Sequence, residues 1–171
     1  MKPPLLNAPY MYRKEDHMPK GLPGIEDFIQ MAIEREERAY NFFHDAVARM
    51  EYEGTKVMLE ELGKEELRHK AMLTKALKEG VVEHIGTDVS PRDLKLSSTL
   101  VTPQLTERST PQDLLIIAMR MEEASVEFYQ TIQPHMRGSG FEELIARLVK
   151  EEQKHKERIE REYDEHYLKE M

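Results

Sequence analysis

Two short stretches of this chain carry the same chemistry. "KEELRH", residues 64–69, and "KEEQKH", residues 150–155, each hold a glutamate three positions ahead of a histidine: Glu66 and His69, then Glu152 and His155. Of the seven histidines only these two have a glutamate at that spacing. On an α-helix, residues three apart share one face about one turn apart. A carboxylate oxygen and an imidazole nitrogen presented together can bind a divalent transition metal. One such tetrad in a glutamate-rich helix says little; two at matched positions say much more. Shifted by 86 residues, Glu66 falls on Glu152, Asp27 on Asp113, Ala32 on Ala118 and Glu36–Glu37 on Glu122–Glu123. Phe42 likewise falls on Phe128, Gly54 on Gly140 and Leu62 on Leu148. The first helical pair reads as a divergent duplicate of the second.

Four helical patterns must position these groups. Residues 25–53 show a helical stripe of Ile29, Ile33, Tyr40, Phe43 and Val47, with Glu36 on it. After a break at Gly54, residues 55–78 repeat the pattern with Leu59, Leu62, Leu73 and Leu77, and Glu66 and His69 share that stripe. The third helix, 110–133, opens with Thr110 as N-cap, Pro111 as first helical residue and Asp113 as capping partner, and it ends before Pro134. The fourth, 139–169, has Ser139 as its predicted N-cap with Glu142 three residues on. Residues 1–23 hold five of the nine prolines and read as an extended arm, which leaves 24–171 as the helical domain. Residues 80–110 lack periodicity, and so long a connection needs a topological reason. The predicted fold is all-α, a four-helix bundle with a long crossover between helices 2 and 3 that spans the bundle. A helical adaptor with a disordered middle loop is the alternative.

Glu36, Glu66, Glu122 and Glu152 all fall on apolar stripes rather than on charged faces. Four uncompensated carboxylates in a core would take up protons or unfold the site. Two divalent cations balance four negative charges, and His69 and His155 add one neutral nitrogen each. The predicted metal ligands are therefore Glu36, Glu66, His69, Glu122, Glu152 and His155. So many oxygens with one imidazole per metal suit iron or manganese better than zinc or copper. Tyr129 lies two turns beyond Glu122; it either holds a ligand carboxylate through its hydroxyl or fills the core as an aromatic. Glu37, Glu65, Glu123 and Glu151 point about 100° away around their helices, which suggests a solvated or helix-rim role. His17, His44, His84, His135 and His166 lack matching partners and read as surface or loop residues.

One glutamate from each of two helices and Glu-x-x-His from the other two is the ligand pattern of ferritin-like di-metal carboxylate bundles. "EREERAYNFF" and "MRMEEASVEFY" resemble the first and third helices of rubrerythrins. In that family a ligand glutamate is followed by a small residue at i+3 and aromatics at i+6 and i+7; here Glu36 has Ala39, Phe42 and Phe43, and Glu122 has Ser125, Phe128 and Tyr129. The resemblance covers about residues 25–165. It implies a ferritin-like bundle, a pair of iron ions with manganese as the substitute, and a symmetric homodimer. Rubrerythrins that reduce peroxide usually carry a further carboxylate where this chain has Ser125. The chain also has no cysteine for a rubredoxin-type electron-transfer domain.

The absence of cysteine excludes disulfides and thiolate-bound metal centres within the chain. A net charge of −8 argues against general nucleic-acid binding. The sequence contains no apolar run of the roughly 20 residues that span a bilayer, and its start lacks a signal-peptide pattern, so a cytoplasmic location without membrane contact is expected. The leading expectation is a di-iron oxidoreductase that reduces O2 or H2O2 and is re-reduced by an external electron-donor protein. The alternatives are an iron-binding or ferroxidase protein of iron handling or storage, and a helical interaction module with a structural metal site.

Overall fold

The stripes and caps read above set where the helices begin and which faces they bury. The computed structural model describes residues 24–79 and 106–168. The predicted arm at 1–23 and residues 80–105 of the predicted crossover lie outside them. Among the described residues there are four α-helices and no strand: α1 Ile25–Val47, α2 Glu53–Glu79, α3 Pro111–Ile132 and α4 Glu142–Tyr163. None of these is long and apolar enough to cross a membrane. The helix starts repeat as the ligands do. The Gly24 N–H donates to Asp27 Oδ2 at 2.8 Å, and 86 residues later the Thr110 N–H donates to Asp113 Oδ2 at 2.8 Å. Asp113 N–H returns a bond to Thr110 Oγ1 at 3.1 Å, so amides of the first turn are satisfied.

Some boundaries differ from the sequence reading. α1 ends at Val47 rather than near residue 53, and Gly54 lies inside the first turn of α2 instead of breaking the chain. The turn comes earlier because the Arg49 and Met50 amides bond back three residues, to Ala46 O at 2.9 Å and Val47 O at 3.2 Å. That tightening lets Met50 enter the core, while the Arg49 guanidinium donates to the carbonyls of Glu107, at 3.2 Å, and Ser109, at the entrance to α3. Nor does α4 begin at 139. Ser139 Oγ donates to Met136 O at 2.6 Å and accepts from the Phe141 N–H at 3.3 Å. The serine thus closes the turn after the 3-10 segment Gln133–Met136, and the helix starts at Glu142. Gly138, at φ 72°, supplies the left-handed residue this reversal needs.

The core has two apolar ends. At one end Phe42, Phe43, Ala46 and Met50 pack with Met58, Leu59 and Leu62, with Leu114, Leu115 and Ala118, and with Ile159. At the other end Phe28, Ile29 and Ala32 pack with Leu73, with Phe128, Tyr129 and Ile132, and with Ile145 and Leu148. The late part of α1 therefore meets the early parts of α2 and α3 and the late part of α4. Helices in contact (α1 with α2, α1 with α3, α2 with α4, α3 with α4) all run antiparallel. α2 ends and α3 begins at opposite ends of the bundle. The bundle has the ferritin-like arrangement.

Candidate metal centre

Between the two apolar ends lies a polar layer. Glu36 from α1, Glu66 and His69 from α2, Glu122 from α3, and Glu152 and His155 from α4 converge there, and none is more than 3% exposed. Each carboxylate is carried inward because its helix buries the stripe on which it sits. The structure thus brings together all six residues singled out from the sequence. The two imidazole rings stack with centroids 5.4 Å apart and planes 10° from parallel. His69 Nδ1 lies 3.1 Å from Glu36 Oε2, 3.0 Å from Glu152 Oε1 and 3.4 Å from Glu66 Oε2. His155 Nδ1 lies 2.9 Å from Glu66 Oε1 and 3.7 Å from Glu122 Oε2.

These atoms form two overlapping sets. Glu36, Glu66, His69 and Glu152 can each offer a ligand atom within 4.8 Å of the others, and so can Glu66, Glu122, Glu152 and His155. Glu66 and Glu152 belong to both sets, as bridging carboxylates would. Both oxygens of Glu122 are buried without a hydrogen bond among the described residues. Orphaned buried oxygens of this kind cost about 1–3 kcal/mol each, more when charged, unless a cation meets them. The donor set fits a pair of oxygen-preferring metals.

The outward nitrogens are held by two acids for which the sequence suggests a solvated or helix-rim role; both are at the rim, and both are engaged there. His69 Nε2 lies 2.7 Å from Glu151 Oε2, and His155 Nε2 lies 2.7 Å from Glu65 Oε2. Each carboxylate reaches across between α2 and α4, accepts the Nε2 proton and leaves Nδ1 facing the centre. Glu65 on α2 faces α4, and Glu151 on α4 faces α2. A signal was present, since Glu65 and Glu151 are paired by the same 86-residue shift as the ligands. Glu37 and Glu123 do stay on the outside, 3.0 Å from Lys70 and Lys156 respectively. Tyr129 is fully buried and its hydroxyl donates to Glu36 Oε1, which favours the ligand-holding reading over a plain core aromatic. Ser125 and its counterpart Ala39 are both buried beside the layer and offer no carboxylate. His44, His135 and His166 lie away from the centre, beside Tyr40, Phe28 and Tyr52. His17 and His84 are outside the described residues.

The charges show how crowded this layer is. Burial, and then the charges of Glu152 and Glu36, push Glu66 up to about 8. Burial and neighbouring acids also raise Glu122 and Glu152. Glu36 goes the other way: burial alone would raise it, but hydrogen bonds from His69, Glu66 and Tyr129 hold it below the usual carboxylate range. Burial disfavours charge on the imidazoles, yet the carboxylates around them raise His69 and lift His155 to about 12.

Residues 27–163 match the family model described as Rubrerythrin. The chain belongs to the rubrerythrin family. A solved structure of a hypothetical protein from Pyrococcus furiosus is similar to it at 27% identity and a TM-score of 0.62, covering 84% of this chain and 95% of the other. Comparison with curated proteins finds no match. Rubrerythrin membership and the buried glutamate–histidine layer together support a di-metal site.

Proposed function

We propose that this rubrerythrin-family chain is a di-iron oxidoreductase that reduces O2 or H2O2 by two electrons and is re-reduced by an external electron-donor protein. The observation that carries this reading is the pair of overlapping four-residue sets that share Glu66 and Glu152 in a buried layer. Glu36 and His69 would hold one metal, Glu122 and His155 the other, and Glu66 and Glu152 would serve both. Two iron(II) ions, or manganese in their place, would supply one electron each, enough with two protons to take O2 to H2O2 or H2O2 to two waters. The chain's own residues do the rest. Glu151 and Glu65 fix the imidazoles through Nε2, and Tyr129 fixes Glu36. Phe43 and Leu62 on one side and Phe128 and Leu148 on the other exclude bulk water. Glu65 and Glu151, at 33% and 20% exposure, link each buried imidazole to solvent and offer a route for protons.

The test is anaerobic reconstitution with iron(II), metal analysis, then rapid mixing with O2 and separately with H2O2. Two metals per chain and oxidation by at least one oxidant are expected. No bound metal, or bound iron inert to both, would overturn the proposal. Native size and iron capacity separate this reading from the storage alternative: a large cage that accumulates far more than two irons per chain would replace this reading with that one.

A further inference from the structure

The centre is built from two halves related by the 86-residue shift, but one pair of counterparts breaks the equivalence. Tyr129 in α3 corresponds to Phe43 in α1, and both are fully buried. The Tyr129 hydroxyl donates to Glu36 Oε1, while Glu36 Oε2 lies 3.1 Å from His69 Nδ1. Glu36 is thereby fixed through Oε1, with Oε2 left on the side of the centre. Its counterpart Glu122 has no hydrogen bond to either oxygen among the described residues, and His155 Nδ1 stands 3.7 Å from its Oε2. The phenylalanine offers no hydroxyl to correct this.

Building on the di-metal reading above, we propose that Tyr129 makes the two metal positions unequal, so that the one at Glu36 and His69 fills first and binds more tightly than the one at Glu122 and His155. Before binding, Glu36 is already oriented with one oxygen turned to the centre, whereas Glu122 must lose rotational freedom on ligation. A donated hydrogen bond also withdraws some charge from the carboxylate. Orientation dominates, since removing outer partners of this kind typically weakens metal binding about 10–100-fold. Tyr129 acts through Glu36 and is a positioning residue.

The experiment uses the full-length, metal-stripped protein titrated with Co(II), read by visible absorbance against a competing chelator, with no turnover involved. Wild type should show two steps separated by more than the statistical factor. Tyr129→Phe should weaken the first step about 10-fold or more and bring the two together, leaving the second unchanged. Phe43→Tyr, which gives Glu122 the hydroxyl it lacks, should strengthen the second step. A wild-type gap no larger than statistical, a gap unmoved by Tyr129→Phe, or a second step unmoved by Phe43→Tyr would each overturn the inference while leaving di-metal binding intact. No cobalt binding at all would overturn the proposed function with it.

Discussion

His69 and His155 present Nδ1 to the centre because Nε2 is already engaged, by Glu151 and Glu65 at 2.7 Å. Without those acceptors each ring could turn or carry its proton on the wrong nitrogen. Glu65→Ala and Glu151→Ala should each weaken metal binding about 10-fold. Each substitution also leaves a buried imidazole nitrogen without its acceptor, so the metal-free protein should lose about 1–3 kcal/mol. Calorimetric titration and a thermal melt check the two halves of that expectation; a loss of stability with unchanged affinity would refute it. The convergence of the six candidate ligands was legible in the sequence because a glutamate on an apolar stripe is too costly to be incidental. The contacts of Glu65 and Glu151 were not, because position within one helix does not show what the helix opposite presents; only their pairing by the 86-residue shift marked them. Tyr129 was legible as a position only. The hydroxyl's partner, Glu36, comes from another helix 93 residues away in sequence.

At the scale of the element, the start of α3 offers a pH-dependent test. Backbone and side-chain bonds from Thr110 hold the Asp113 carboxyl below its usual range. A carboxyl depressed in the folded state contributes stability above its unfolded value, and that contribution is lost as pH falls through the folded one. Thr110→Ala should therefore cost about 1 kcal/mol at neutral pH and progressively less on acidification. Urea melts of wild type and variant between neutral and acidic pH would show the difference closing; a constant difference would mean the cap does not involve an ionised Asp113. Gly63 in α2 offers the opposite change. A Cβ there would meet Phe43 Cβ and Tyr40 Cδ2 at 3.6 Å each, ordinary contact, so Gly63→Ala should stabilise by about 0.5–1 kcal/mol. A lower melting temperature would show that this hairpin cannot take the methyl. Thr110, Pro111 and Asp113 made the third helix's start readable, since all the interactions are local. The end of α1 was not readable, because it is set by what Met50 and Arg49 reach in α2 and α3.

For the whole molecule, the polar layer sets function against stability. The two apolar ends favour the bundle with or without metal, but the layer between them concentrates buried acids that burial and mutual repulsion raise. Glu122 shows the conflict most clearly: both its oxygens are buried without hydrogen bonds among the described residues, whereas Glu36 accepts from the Tyr129 hydroxyl. Replacing Glu122 with an apolar side chain of similar length should relieve the first situation; replacing Glu36 would orphan the Tyr129 hydroxyl. We expect Glu122→Met to make the chelator-treated protein more stable by about 1–3 kcal/mol. Wild type should instead gain about 2.7 kcal/mol when free metal reaches a hundred times its dissociation constant, and the variant should gain much less. The order of stability then inverts: variant above wild type with chelator, wild type above variant with saturating Mn(II) or anaerobic Fe(II). Denaturant melts of both proteins under both conditions measure this directly. If Glu122→Met were instead several kcal/mol less stable in chelator, Glu122 would be a structural partner of the bundle, and its assignment as a ligand would fall.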